Sequence, residues 1–116
     1  MNIIFGTSEA EKLDEKYIVL ELDTITIKNS TPITVYCVVE NLPLVKLTEA
    51  EPYKILHANL MENYKKRDWN FCEQALEKLL HFWGADMDTF YDSLQTRVLE
   101  YKDKEPDENW THIVPR

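Results

Sequence analysis

Residues 52–83, PYKILHANLMENYKKRDWNFCEQALEKLLHFW, hold the densest apolar periodicity of the chain and read as two consecutive amphipathic helices joined at Arg67, Asp68 and Trp69. In the first, Tyr53, Leu56, Leu60 and Tyr64 recur at steps of three and four, with Ile55 and Met61 widening the stripe. One face is therefore fit for burial. Lys65, Lys66 and Arg67 crowd the last turn, where the carbonyl end of the helix dipole favours cations. Asp68 offers a carboxylate to the free amides of the next helix and so serves as its N-cap. The second helix carries Cys72, Leu76, Leu79 and Trp83, flanked by Phe71, Ala75, Leu80 and Phe82, a face broad enough to make it the most buried helix. Gly84 follows, suited to a left-handed C-cap.

Residues 52–84 resemble a single tetratricopeptide-type helical hairpin. The likeness lies in Tyr64, the turn at Arg67, Asp68 and Trp69, the small Cys72, and Leu76 and Leu79 at the spacing where that family packs its second helix. The first helix is about one residue short before the turn, Gly84 stands where proline is usual, and no second copy follows. Such arrays need about three repeats to bury their faces, so the resemblance implies a packing unit and not a repeat protein.

Upstream, residues 2–5 are short, apolar and closed by Gly6, which reads as a buried strand. Ser8 and Glu11 have capping-box spacing at the start of a short helix carrying Ala10, Leu13 and Tyr17 on one side. Residues 17–27 form a strand in which apolar parity switches from Ile18, Leu20 and Leu22 to Ile25 and Ile27 past Asp23; a period-two element tolerates that only through a bulge, a strong twist or a change of buried face. Lys28, Asn29, Ser30 and Thr31 are turn chemistry, and Pro32 closes the turn. Ile33, Val35, Cys37 and Val39 alternate in a second strand, apolar on both faces and hence central, paired antiparallel with the first. Asn41 to Leu44 leave the sheet. Thr48 with Glu51 has capping-box spacing, Leu47 is placed as a hydrophobic staple, and Pro52 is accommodated in the first helical turn.

Downstream, Asp86 or Asp88 can cap a third long helix, in which Met87, Phe90, Tyr91, Leu94, Val98 and Tyr101 share a face. A polar segment from Lys102 to Asn109 ends it. Trp110, Ile113 and Val114 then form an apolar tail that docks in cis or reaches a neighbour. The order predicts an α+β domain: a small mixed three-stranded sheet (β-α-β-β) with a three-helix layer packed on it. Residues 1–44 form the sheet half, 48–104 the helical half and 105–116 the tail. A parallel pairing of the first two strands would require a right-handed crossover.

At 116 residues the chain fits one domain. Acids outnumber bases 21 to 13, for a net charge of -8, which disfavours direct nucleic-acid binding. Cys37 and Cys72 lie inside apolar patterns, as free thiols do in a reducing compartment. Met1 begins a stretch with no basic start, so no signal peptide is expected, and no run reaches the ~18 apolar residues of a membrane span. The expected location is the cytoplasm, the host's if the protein is viral.

Chemistry is sparse. His57, His81 and His112 lack helical metal-ligand spacing, and both thiols fall on stripes expected to be buried, so no catalytic set, cofactor or metal is expected. Glu21 and Asp23, two apart on a strand, are the best paired-carboxylate candidate, although a solvent-facing stretch or a cap for a neighbouring helix is the favoured reading of them. Two glycines, Gly6 and Gly84, leave no phosphate-cradling loop. Lys65, Lys66 and Arg67 beside Trp69 make the basic and aromatic patch, fit to grip an acidic segment or simply to complement a helix end.

The resulting expectation is a non-enzymatic protein-interaction or regulatory domain acting on a protein partner or on itself as a homodimer. Its candidate contacts are Trp69, Lys65, Lys66, Arg67, Trp110 and Ile113. Two alternatives stand beside it: a ligand-binding protein or small enzyme using Glu21 and Asp23 with nearby Tyr36, and an acidic decoy mimicking nucleic acid. The overall look is similar to small uncharacterised proteins of tailed phages of marine bacteria, a resemblance that implies no activity.

Overall fold

The computed structural model describes residues 2–28, 30–40 and 42–115. The start at Met1, the turn position Asn29 and the sheet exit at Asn41 lie outside them. The described residues form an α+β chain in the order β1 (Asn2–Phe5), α1 (Thr7–Asp14), β2 (Ile18–Thr26), β3 (Ile33–Val39), α2 (Leu44–Lys65), α3 (Trp69–Leu79), α4 (Ala85–Asp103) and β4 (Ile113–Pro115). They divide into two compact units, residues 1–43 with 112–116, and residues 44–111.

The first unit is a mixed four-stranded sheet in the order β1-β3-β2-β4. The expected three strands become four because the tail adds β4 parallel to β2, with Ile113 opposite Thr24. β3 is central, antiparallel to β1 on one side and β2 on the other, so β1 and β2 flank it and do not pair. The parity switch in β2 is a bulge. Glu21 faces Tyr36 while Thr24 faces Thr34, so three steps on β2 span two on β3. β1 is an edge and is not a buried strand, since Ile3 and Phe5 are exposed. α1 is entered through Gly6 at φ 98 and has no side-chain cap, so the Ser8–Glu11 capping box is not used. Thr7 Oγ1 lies 3.0 Å from the Tyr36 hydroxyl, tying the start of α1 to the central strand.

The second unit is helical. α3 packs against both α2 and α4, and its Cys72, Ala75, Leu76 and Leu79 are all buried, as its broad apolar face requires. Leu60, Met61 and Tyr64 of α2 and Met87, Tyr91, Leu94 and Val98 of α4 are buried with them. Two boundaries differ from expectation. α2 begins at Leu44, which places Pro52 inside the helix, and Thr48 Oγ1 donates to Val45 O at 2.7 Å where a cap was expected. α3 ends at Leu79, so Gly84, at φ 121, precedes α4 and is not the α3 C-cap; the left-handed residue after α3 is His81, at φ 72. None of the helices is long and apolar enough to cross a membrane, among the described residues.

Candidate functional site

The turn between α2 and α3 decides what the basic and aromatic patch does. Arg67 takes φ 67, its amide donates to Tyr64 O at 3.1 Å, and the Asp68 amide donates to Asn63 O at 2.9 Å. That pair of bonds closes the last carbonyls of α2 in the pattern of a Schellman motif, whose left-handed position glycine usually fills. Asp68 then accepts from the Phe71 amide at 3.1 Å and caps α3 as its spacing predicts.

An arginine at a glycine position has a visible reason in its side chain. The Arg67 guanidinium donates to Glu105 Oε1 and to Asp107 O, each at 2.9 Å, and also to Pro106 O. Glu105 Oε2 in turn accepts from Trp69 Nε1 at 2.8 Å. The guanidinium also stands 5.7 Å over the Trp110 ring. Trp110 meets Tyr64, Trp69 and Tyr101 edge-on at centroid distances of 5.6, 5.5 and 5.4 Å, and Trp69 meets Tyr101 at 5.0 Å. Rings this close and mutually edge-on fill the space between them with one another.

Three of the six candidate contacts are thus occupied within the chain: Arg67, Trp69 and Trp110 form one latch holding residues 105–110 on the helical unit. Lys66 pairs with Glu62 at 3.6 Å across one helical turn, and Lys65 is half-buried in that same turn. Ile113 is half-buried in β4. The five that lie in the helical unit do not form one open patch, since Arg67, Trp69 and Trp110 are engaged with one another and with Glu105.

The acid pair changes as well. Because the bulge falls between Glu21 and Thr24, the residue sharing a face with Glu21 is Thr24, whose hydroxyl lies 3.0 Å from Thr34 Oγ1. A two-residue spacing no longer places Asp23 beside Glu21, since period-two counting fails across an inserted residue. Among the described residues no group of three or more His, Cys, Asp and Glu side chains could hold a metal ion.

Burial and charge hold Cys72 inert. Its thiol is pushed up to about 12, first by desolvation and then by the negative charge of Asp68. His57 is buried, with Nδ1 2.8 Å from the Tyr91 hydroxyl, and His81 is exposed, its amide donating to Asp88 Oδ1 at 2.7 Å.

What the sequence reading passed over is the first half of α2. Leu44 and Val45 are 76 % and 72 % exposed, and Leu47 and Ile55 about half so. Leu44, Leu47, Glu51 and Ile55 follow steps of three and four, so these side chains share one stripe, with Val45 and Pro52 on the adjoining row. The signal was present as an apolar run, LVKL, at 44–47, but it read as a connector because Pro52 marked the helix start. Lys46 is turned away from that stripe: its ammonium donates to His81 O at 3.0 Å and Phe82 O at 2.8 Å, holding carbonyls of the segment that follows α3. No family model matches the chain, and neither a curated protein nor a solved structure was found to match it.

Proposed function

We propose that the chain is a non-enzymatic protein-interaction or regulatory module that meets a protein partner through the exposed apolar stripe of α2. The supporting observation is that Leu44, Val45, Leu47 and Ile55 lie together on one helical surface and are all exposed. Large apolar side chains scattered singly need no explanation, whereas Leu44, Val45 and Leu47 adjoin on one helix, with Ile55 beyond Glu51 on the same stripe, which has the form of a recognition face. The buried thiols of Cys37 and Cys72, neither of them in a disulfide, fit a reducing compartment, and the module acts in the cytoplasm.

A photo-cross-linking residue at Leu47, used in an extract of the source cell, tests this. The expected result is an adduct to one discrete protein or to a second copy of the chain, with none from the same group at exposed Thr96 on α4. Equal, scattered adducts from both positions would overturn the reading.

A further inference from the structure

Resting on that interaction reading, we infer that the α2 face takes a cationic amphipathic helix, and neither a second copy of this chain nor an anionic surface. The stripe from Leu44 to Ile55 spans about 16 Å along the helix axis at 1.5 Å per residue, the length of roughly three turns of a partner helix. Its charged side chains decide which helix.

Glu49 and Glu51 are exposed among the apolar positions, whereas the two lysines of the same stretch are half-buried. Lys46 is bound to the carbonyls of His81 and Phe82, and Lys54 is half-buried with an interaction of its own. The exposed large apolar and charged side chains of the stretch are therefore Leu44, Val45, Leu47, Ile55 and two carboxylates, and neither of its lysines is exposed. Two copies meeting through it about a two-fold axis would set Glu49 and Glu51 against their own equivalents, on chains that each carry -8. Anionic lipid and nucleic acid meet the same repulsion. A helix with leucines at three- and four-residue spacing and lysines on its flanks matches both features: leucines cover Leu44, Val45, Leu47 and Ile55, and ammonium groups reach Glu49 and Glu51.

The test uses the full chain and three synthetic helical peptides of equal length and apolar spacing, with lysine, glutamine or glutamate flanks, titrated by fluorescence anisotropy. The lysine peptide is expected to bind, and the glutamate peptide is not. Leu44→Asp with Val45→Asp should weaken the lysine peptide more than about tenfold, by loss of apolar burial. Glu49→Gln and Glu51→Gln should each weaken it about threefold and flatten its salt dependence. The glutamine variants touch no described hydrogen bond or ion pair, so they remain informative even where an aspartate variant disturbs folding. Equal binding of all three peptides overturns the charge assignment, and lysine-peptide binding that survives all four substitutions shows attraction by net charge alone and overturns the site. An adduct from Leu47 to a second copy overturns this inference while leaving the interaction reading standing; scattered adducts at Leu47 defeat both.

Discussion

Two buried polar side chains carry consequences that single substitutions expose. His57 and Tyr91 are each almost fully enclosed, and their 2.8 Å bond links α2 to α4. Tyr91→Phe keeps the ring and deletes the hydroxyl, leaving His57 Nδ1 without this partner, and should cost about 1–3 kcal/mol in a urea titration. Adding His57→Phe removes the other side of the same bond, so the two substitutions should be non-additive, the double variant losing less than the sum of the singles. Cys72 gives a pH signature of opposite character. Its thiol holds its proton more tightly folded than unfolded, about 12 against 9.0. The unfolded chain therefore ionises first, and the contribution of this thiol is complete below pH 9 and lost as pH rises toward 12, at up to about 1.4 kcal/mol per pH unit. The difference between wild type and Cys72→Ala across that window isolates it from other groups. Native-state alkylation at pH 8 should be slow and set by opening, because almost no thiolate exists.

Among the elements, the two helix ends with non-glycine left-handed residues show how side chains hold a backbone that their own Cβ disfavours. Arg67 gains its latch to residues 105–107, and at His81 the amide is held by Asp88 while Lys46 binds the carbonyl. Arg67→Ala keeps the left-handed strain and drops the latch; Arg67→Gly drops the latch and relieves the strain. Stability should fall in the order wild type, Arg67→Gly, Arg67→Ala, with about 1 kcal/mol between the variants. If glycine equals or exceeds wild type, the guanidinium contacts contribute nothing net. The hairpin turn itself was legible, because Asp68 caps as its position predicts, and the parity switch in β2 announced its bulge. The start of α2 was not. A proline and a capping-box spacing outweighed LVKL in the local reading, whereas the folded helix accepts the missing Pro52 amide bond. Pro52→Ala restores that donor and should raise the melting temperature by several degrees. Nor was the latch legible: it joins Arg67 to Glu105 across 38 residues, and no local spacing encodes such a pairing.

At the scale of the molecule, the last residues serve two units in succession, residues 105–111 belonging with the helices and 112–116 with the sheet. That division explains why an apolar tail gave no readable strand. Ile113, Val114 and Pro115 are too few for alternation to register, and they become a strand only because β2 offers an open edge beside them. Ending the chain after Thr111 separates the two roles. The truncation removes β4 and leaves Thr24, Ile25 and Thr26 without their parallel partners, turning β2 into an uncovered edge. Amide exchange at the end of β2 should accelerate, and the open edge should promote concentration-dependent association. Every ring of the aromatic latch lies before the cut, as does Glu105, so the near-ultraviolet circular dichroism of Tyr64, Trp69, Tyr101 and Trp110 should persist. Loss of that signal on truncation would mean that Trp110 is held by the pairing of the residues after it. Its retention with β2 exposed would assign the hold on the tail to Arg67 and Glu105, fixing residues 105–110 as part of the helical unit before β4 forms.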